Sequence, residues 1–264
     1  MEDALRHPIF DPFRPWLDRM EGYASHALLN RFSEEAGLRT AAGKPVRFVP
    51  PAPATPYYEV HVHESGRVAT RPENWHDLFN ALVWFAFPRT KATINALHAA
   101  EIPRERGRRG RLRDMLTIFD EGGAIAVCAD AELEAMIRAF RWRELFWESR
   151  ARVLQSLRFL VIGHAVLDKA REPWAGIACK TIFIAPHDDP DVAAARWLAT
   201  HAAGGTPQLL APLPVFGYPG WLPNERPEFY ADERYFRRNR GQSPISRSAR
   251  KSGSDPDFSH GKAG

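Results

Sequence analysis

Between Arg71 and His98 the chain reads RPENWHDLFNALVWFAFPRTKATINALH, and this stretch limits the fold more than any other. Asn74 is a good helix N-cap with Pro72 just outside it, and apolar residues then recur at helical spacing as far as Phe87. Pro88 has no amide N–H to continue the ladder, so one helix must end there and a second is expected from Arg89 to about Glu101. On a wheel of 100° per residue, Trp75, Leu78, Phe79, Leu82, Phe85 and Ala86 form the core-facing side. His76 and Asn80 lie about 40° apart on the other side, Asp77 about 100° from His76, and Trp84 and Phe87 close the same sector. A helix that only fills a core has no use for those polar groups. The narrow wedge, aromatic at its far end, points to a covered cleft or a helix interface.

The rest of the chain reads as short elements separated by proline. Phe13 to Ala36 carries an amphipathic helical stripe through Trp16, Leu17, Met20, Tyr23, Leu28 and Phe32. Lys44 to Pro56 is extended. Tyr57 to Thr70 alternates in YYEVHVH, turns at Glu64-Ser65-Gly66 and returns through RVAT, the pattern of a β-hairpin. After an arginine-rich loop a helix is expected through Met115 to Phe119, then a turn at Asp120–Gly123 and the strand AIAVC. Helices are expected near Ala131–Phe140, Arg143–Glu148, Arg152–Ala170 and Asp191–Ala203, with a short strand at Thr181–Ala185. The segment from there to about Arg237, rich in proline and aromatics, is expected to wrap the domain as extended chain. The fold class is therefore α+β, mainly helical. It is expected as a single domain over residues 1–238 with a small antiparallel β element and a disordered basic tail over residues 239–264.

Charge is unevenly placed. From Arg237 onward there are seven Lys/Arg against two Asp, which leaves residues 1–236 at about −1 although the whole chain is +4. A second basic run, PRERGRRGRLR, contains Arg104, Arg106, Arg108, Arg109, Arg111 and Arg113. It could hold a phosphate or nucleic-acid backbone, but it reads first as a solvated connection. Cys128 and Cys179 are distant and in apolar surroundings, which suits a reducing, cytoplasmic compartment and gives no zinc spacing. The first residues show no apolar run behind a basic start, so no signal peptide is expected. The longest uncharged stretch, Ala202 to Asn224, holds five prolines and four glycines and is not a membrane segment.

The string NWHDLFNALVW-x-x-FPRTK-x-x-IN-x-x-H, with FDE-x-G downstream and GHA at Gly163–Ala165, resembles the bacterial family called domain of unknown function 3025. PLPVFGYPGW-x-PN-x-x-P-x-FY-x-D-x-x-YFR, from Pro212 to Arg237, looks like that family's C-terminal signature. The resemblance runs from about Arg14 to Arg237. It implies a soluble bacterial protein of uncharacterised biochemistry, and it supplies no catalytic residues to carry over.

Function must then be read from the polar residues. His76 is the candidate general base or metal ligand, with Asp77 or Asn80 orienting it. On the next helix Lys91, Asn95 and His98 share one face at i, i+4, i+7. The expected catalytic set is His76, Asp77, Asn80 and His98, with Arg71, Lys91 and Asn95 binding substrate. No residue is assigned as a fixed metal ligand. A divalent metal ion is compatible with the pattern, and no dinucleotide or nucleoside-triphosphate motif occurs. Two analogies give this set a chemistry. A ββα-metal finger would use His61 or His63 as base and Asn74, His76 or Asn80 on the ligand side. An H…HD…D phosphohydrolase would use His26, His76-Asp77 and Asp114 or Asp168. Asp120-Glu121 could also lend carboxylates to a metal, although an acidic turn before a strand is the commoner use. His164 and Asp168, at i, i+4, read first as a local pair. The resulting expectation is metal-assisted hydrolysis of a phosphodiester or related anion. The alternative is a non-catalytic binding or scaffold protein whose His, Asp and Asn side chains form a structural network.

Overall fold

The computed structural model describes residues 4–52, 57–105 and 108–238. The tail expected to be disordered, and Arg106 of the basic run, lie outside the described residues. Two 3-10 segments, Ala4–Arg6 and Pro8–Phe13, lead into a short helix α1 (Arg14–Leu17), and only after a break does α2 (His26–Glu35) begin. The single helix expected over Phe13–Ala36 is therefore split. Ser25 is extended and its hydroxyl accepts from Leu28 N, which starts a new helix instead of prolonging the old one.

Strand β1 (Arg47–Val49) follows, then α3 (Tyr58–Ser65) and strand β2 (Arg67–Ala69). The hairpin expected over Tyr57–Thr70 is absent: YEVHVHES is helical, and β2 pairs in parallel with β1 instead of turning back on Tyr57–His63. Alternation over seven residues did not distinguish the two outcomes. What did is Gly66, which takes φ +73 and closes α3 with its N–H on Val62 O. The ββα-metal finger falls with the hairpin, because His61 and His63 ride on a helix.

Helices α4 (Trp75–Ala86) and α5 (Pro88–Glu101) stand where the Asn74 cap and Pro88 require, with Asn74 Oδ1 accepting from Asp77 N at 3.0 Å. The buried side of α4 carries Leu78, Phe79, Leu82 and Phe85. Phe79 stacks on Phe10 at 5.5 Å between centroids, and Phe85 meets Trp16, Phe32 and Phe48 within 5.9 Å. Each such side chain buried contributes about 1.5–3 kcal/mol, so α4 is held firmly enough to carry polar groups on its other face.

Helix α6 (Arg111–Gly122) runs straight into strand β3 (Gly123–Cys128). Asp120 and Glu121, expected in a turn, thus occupy the last turn of a helix. After α7 (Ala131–Arg138) and a π-helical turn at Glu144–Glu148 come α8 (Arg150–Ser156), strand β4 (Leu157–Val161) and α9 (His164–Lys169). The helix expected over Arg152–Ala170 is interrupted by that strand. Its residues alternate between buried and more open positions, and all five pair antiparallel with β3. Strand β5 (Cys179–Ile184), α10 (Pro190–His201) and β6 (Ala211–Leu213) complete a four-stranded mixed sheet in the order β4-β3-β5-β6. The β element is therefore larger than expected and only partly antiparallel, since β3 and β5 run parallel. One continuous hydrophobic core reaches from Ile9 to Phe236, and the fold is a mainly helical α+β domain. The proline- and aromatic-rich C-terminal stretch wraps it: Tyr230 and Phe236 are buried, and Tyr235 Oη donates to Ile177 O at 2.8 Å.

At the β4–α9 junction, Ile162 N and Gly163 N both donate to Gly123 O, at 3.0 and 2.9 Å. A Cβ on residue 163 would lie 2.6 Å from Gly122 Cα, 2.6 Å from Gly123 N and 2.7 Å from Glu121 O. All three are backbone atoms that cannot step aside. Gly163→Ala is expected to lower stability by roughly 1–3 kcal/mol in urea denaturation. Gly122→Ala, where a Cβ meets only Val166 at 4.0 Å, should be neutral or slightly stabilising. Equal midpoints for the two variants would refute this account of the junction.

Candidate metal centre

A cleft of about 430 Å³ opens between α3, α4 and α5 on one side and the α6–β3 and β4–α9 junctions on the other. His76, in the first turn of α4, points toward the end of α6. Its Nε2 lies 3.9 Å from Glu121 Oε2. Glu121 Oε2 is also 3.5 Å from Nε2 of His164, the first residue of α9, and the two imidazoles meet edge to face with centroids 4.5 Å apart. One ligand atom from each of these three residues fits within a 4.8 Å span. Donors about 2.1 Å from a tetrahedral ion sit roughly 3.3–3.5 Å from one another, so a small inward movement would complete such a site.

Behind the three lies an ion pair. Lys91, on α5 and buried, donates from Nζ to Asp120 Oδ1 at 2.6 Å. The other carboxylate oxygen of Asp120 is 3.9 Å from His164 Nδ1, a buried nitrogen with no hydrogen-bond partner. If His164 offers Nε2 to the cleft, Nδ1 carries its proton toward Asp120, the usual carboxylate–imidazole arrangement behind a ligating histidine.

The ionisation states suit ligation. Burial, and then the neighbouring His164 charge, hold the His76 imidazole below its ordinary pKa, so it is neutral with a free lone pair. The contact with His164 outweighs burial and holds Glu121 below the usual carboxylate range. Burial pushes Asp120 upward, but Lys91 and then His164 overcome it and keep the group ionised. Two carboxylates in the last turn of a helix face the negative end of its dipole. Lys91 supplies the compensating charge for Asp120.

The residues singled out in the sequence are only partly brought together. His76, Asn80, Lys91, Asn95, Asp77 and Arg71 all line the cleft, and Trp84 lines it with them. Asp77 is occupied: its carboxylate accepts from Arg71 N at 2.7 Å, from Arg71 Nε at 2.9 Å and from Nη2 at 2.8 Å. That fork fixes the start of α4 and also commits the Arg71 guanidinium. Burial raises the Asp77 pKa, and these Arg71 contacts bring it below its ordinary value. His98 is buried away from the cleft lining, where its Nδ1 accepts from Arg113 Nε at 3.3 Å. His26 lies elsewhere too, with its Nε2 2.8 Å from Thr70 O. Asp114 and Asp168 pair with Arg109 and Arg171, each at 3.0 Å, so the H…HD…D arrangement is not assembled.

The basic run is largely neutralised by its own surroundings. Arg104 pairs with Glu101, Arg109 with Asp114 and Arg113 with Glu105, while Arg108 and Arg111 are exposed. Glu121 and His164 join His76 here, whereas the sequence pattern reads them first as an acidic turn and a local pair. Their signal was an acidic pair just before a strand and a histidine after a glycine. Neither has a spacing that links it to His76, because the contact spans three separate elements.

The fold and the cleft thus define an α+β protein with a His/Glu/His cluster in a half-open pocket. The family described as Protein of unknown function (DUF3025) matches residues 46–240, well over half of the chain, and the chain belongs to that family. No curated protein and no solved structure matches it. No helix among the described residues is long and apolar enough to cross a membrane. Cys128 and Cys179 are both free thiols.

His98 gives a pH-dependence away from the cluster. Burial lowers its pKa from 6.5 to about 4, reinforced by the Arg113, Arg109 and Lys91 charges against the opposing Asp120. The folded state therefore resists a proton that the unfolded chain accepts. The resulting stability is complete above about 6.5 and is lost as pH falls toward about 4. The loss should be about 2 kcal/mol in urea unfolding at pH 7 against pH 4.5. His98→Gln should flatten part of that slope, and an unchanged slope in the variant would exclude His98 as its source.

Proposed function

We propose that the cleft binds one divalent cation on His76 Nε2, a Glu121 carboxylate oxygen and His164 Nε2, and that the protein is a metal-dependent hydrolase. The observation that carries this reading is the convergence of two imidazoles and an ionised carboxylate within 4.8 Å at the edge of a half-open pocket. Two histidines and one carboxylate form a ligand set that leaves a coordination position open for water or substrate. An ion held there would supply a Lewis acid and an acidified water at neutral pH. The chain's own contribution is to fix the ligands: Asp120 faces the Nδ1 side of His164, and Lys91 holds Asp120. Asn80 and Trp84 line the space a substrate would enter.

The phosphodiester form of this reading gains little from the cleft's charges. Arg71 is committed to Asp77 and Lys91 to Asp120, which leaves no unpaired cation among the described lining residues for a phosphate oxygen. A second reading, a structural polar network, is favoured by those same pairs. It leaves unexplained the unpartnered buried His164 Nδ1 and the acceptor oxygens of Asn80 and Asn95.

Zinc titration by calorimetry, with the visible spectrum of the Co(II) form, tests the site. Binding of one ion per chain is expected. His76→Ala, Glu121→Gln and His164→Ala should each weaken it at least ~100-fold with circular dichroism unchanged. Full stoichiometry and affinity in His164→Ala would remove the site. A metal-loaded protein that turns over neither chromogenic esters, amides nor phosphodiesters would leave a metal-binding protein and end the hydrolase reading.

A further inference from the structure

The wall of the cleft made by α3, α4 and α5 carries acceptors without donors. Asn95 is 3% exposed, and its amide is oriented by its own bonds: Nδ2 donates to Glu59 O at 2.9 Å and to Glu59 Oε2 at 2.7 Å. Its Oδ1 is therefore fixed as an acceptor, is buried, and has no partner. Asn80 Oδ1, from the facing helix, is buried and unpartnered in the same cleft. The Glu59 carboxylate completes a set of three acceptor groups. A buried acceptor left unmade costs about 1–3 kcal/mol, so the wall is built for something that donates.

The cations nearby do not fill that role. Lys91 is held by Asp120 and Arg71 by Asp77, and Arg113, whose charge reaches Glu59, is bound to Glu105 at 2.6 Å. We infer that this wall is a subsite for a protonated amine on the ligand, received by Asn95 Oδ1, Asn80 Oδ1 and the Glu59 carboxylate. An ammonium has three N–H donors and a positive charge, which matches three acceptor groups, one of them a carboxyl that the ammonium itself would hold ionised. Trp84, also lining the cleft, already has the Lys91 ammonium 5.8 Å from its ring centroid, so it borders the subsite and is not counted among the groups that receive the amine. Burial and then the Asp120 charge push the Glu59 carboxyl above its ordinary pKa, a strain that an adjacent ammonium relieves. The inference deepens the metal-hydrolase reading and rests on it for the reacting end of the ligand, which the His76–Glu121–His164 cluster would meet.

The test is an NMR titration of the full chain, with and without Zn(II), using leucinamide, N-acetyl-leucinamide and inorganic phosphate as probes. Leucinamide should shift cleft resonances, including the Trp84 indole, and bind at least about tenfold tighter than the acetylated probe, which lacks the ammonium. Asn95→Leu should abolish that preference while zinc affinity is unchanged. Glu59→Gln keeps the shape and still accepts from Asn95, so it tests the charge even if Asn95→Leu fails to fold. It too should lose the preference. Equal binding of the two amides, tighter binding of phosphate, or an unaltered preference in Glu59→Gln would overturn the subsite. Zinc binding without amine discrimination removes this inference alone, whereas amine discrimination in a chain that binds no zinc removes the metal reading and leaves the subsite.

Discussion

The close approach of Gly163 to the Glu121–Gly123 backbone is the contact on which the site depends. Two amide N–H groups, from Ile162 and Gly163, converge on one carbonyl, Gly123 O, and any side chain at 163 would collide with main chain. Because of this contact, the end of α6 and the start of α9 meet without an intervening side chain. Glu121 and His164 flank the junction, so their distance is set by backbone geometry and not by the reach of flexible side chains. His76 is brought to the same place by α4, whose aromatic face is locked into the core on the opposite side.

A second constraint is electrostatic. Asp120 sits in the interior at the unfavourable end of a helix, and only a matched cation makes that tolerable. Lys91 supplies it at 2.6 Å, across from α5. Removing one member of such a buried pair typically costs about 3–5 kcal/mol, which makes Lys91–Asp120 both a clamp between α5 and α6 and a fixed charge behind His164. The same logic explains why Arg71 and Asp77 are poor candidates for chemistry although both line the cleft. Their fork satisfies the first turn of α4 and uses up both groups. The polar residues of the opening segment therefore divide into those that hold the helices and those that remain available, His76, Asn80 and the Asn95 carbonyl oxygen.

How much was legible in the sequence differs by element. The α4–α5 pair was readable because its signals are local: a capping side chain, a 3.6-residue period and a proline all act within one turn. The hairpin expected over Tyr57–Thr70 failed because YYEVHVH suits a strand and a short helix almost equally. Packing of α3 on α5, with Asn95 donating to Glu59, and closure at Gly66 favoured the helix. The helix expected over Arg152–Ala170 failed for a related reason. LRFLV is short and apolar, and only the presence of β3 beside it decides that it extends.

By itself, the sequence determined that the chain folds as a mainly helical α+β domain, that two helices meet at Pro88, and that His76 and Asn80 stand on a face that packing does not need. Tertiary structure alone decided which groups His76 would meet. Glu121 and His164 are 45 and 88 positions further along the chain, and no periodicity within α4 refers to them. Proximity at that separation is created by strand pairing between β3 and β4 and by a glycine that lets two backbones touch. These are long-range interactions whose outcome depends on the whole core, and no short stretch of sequence contains them.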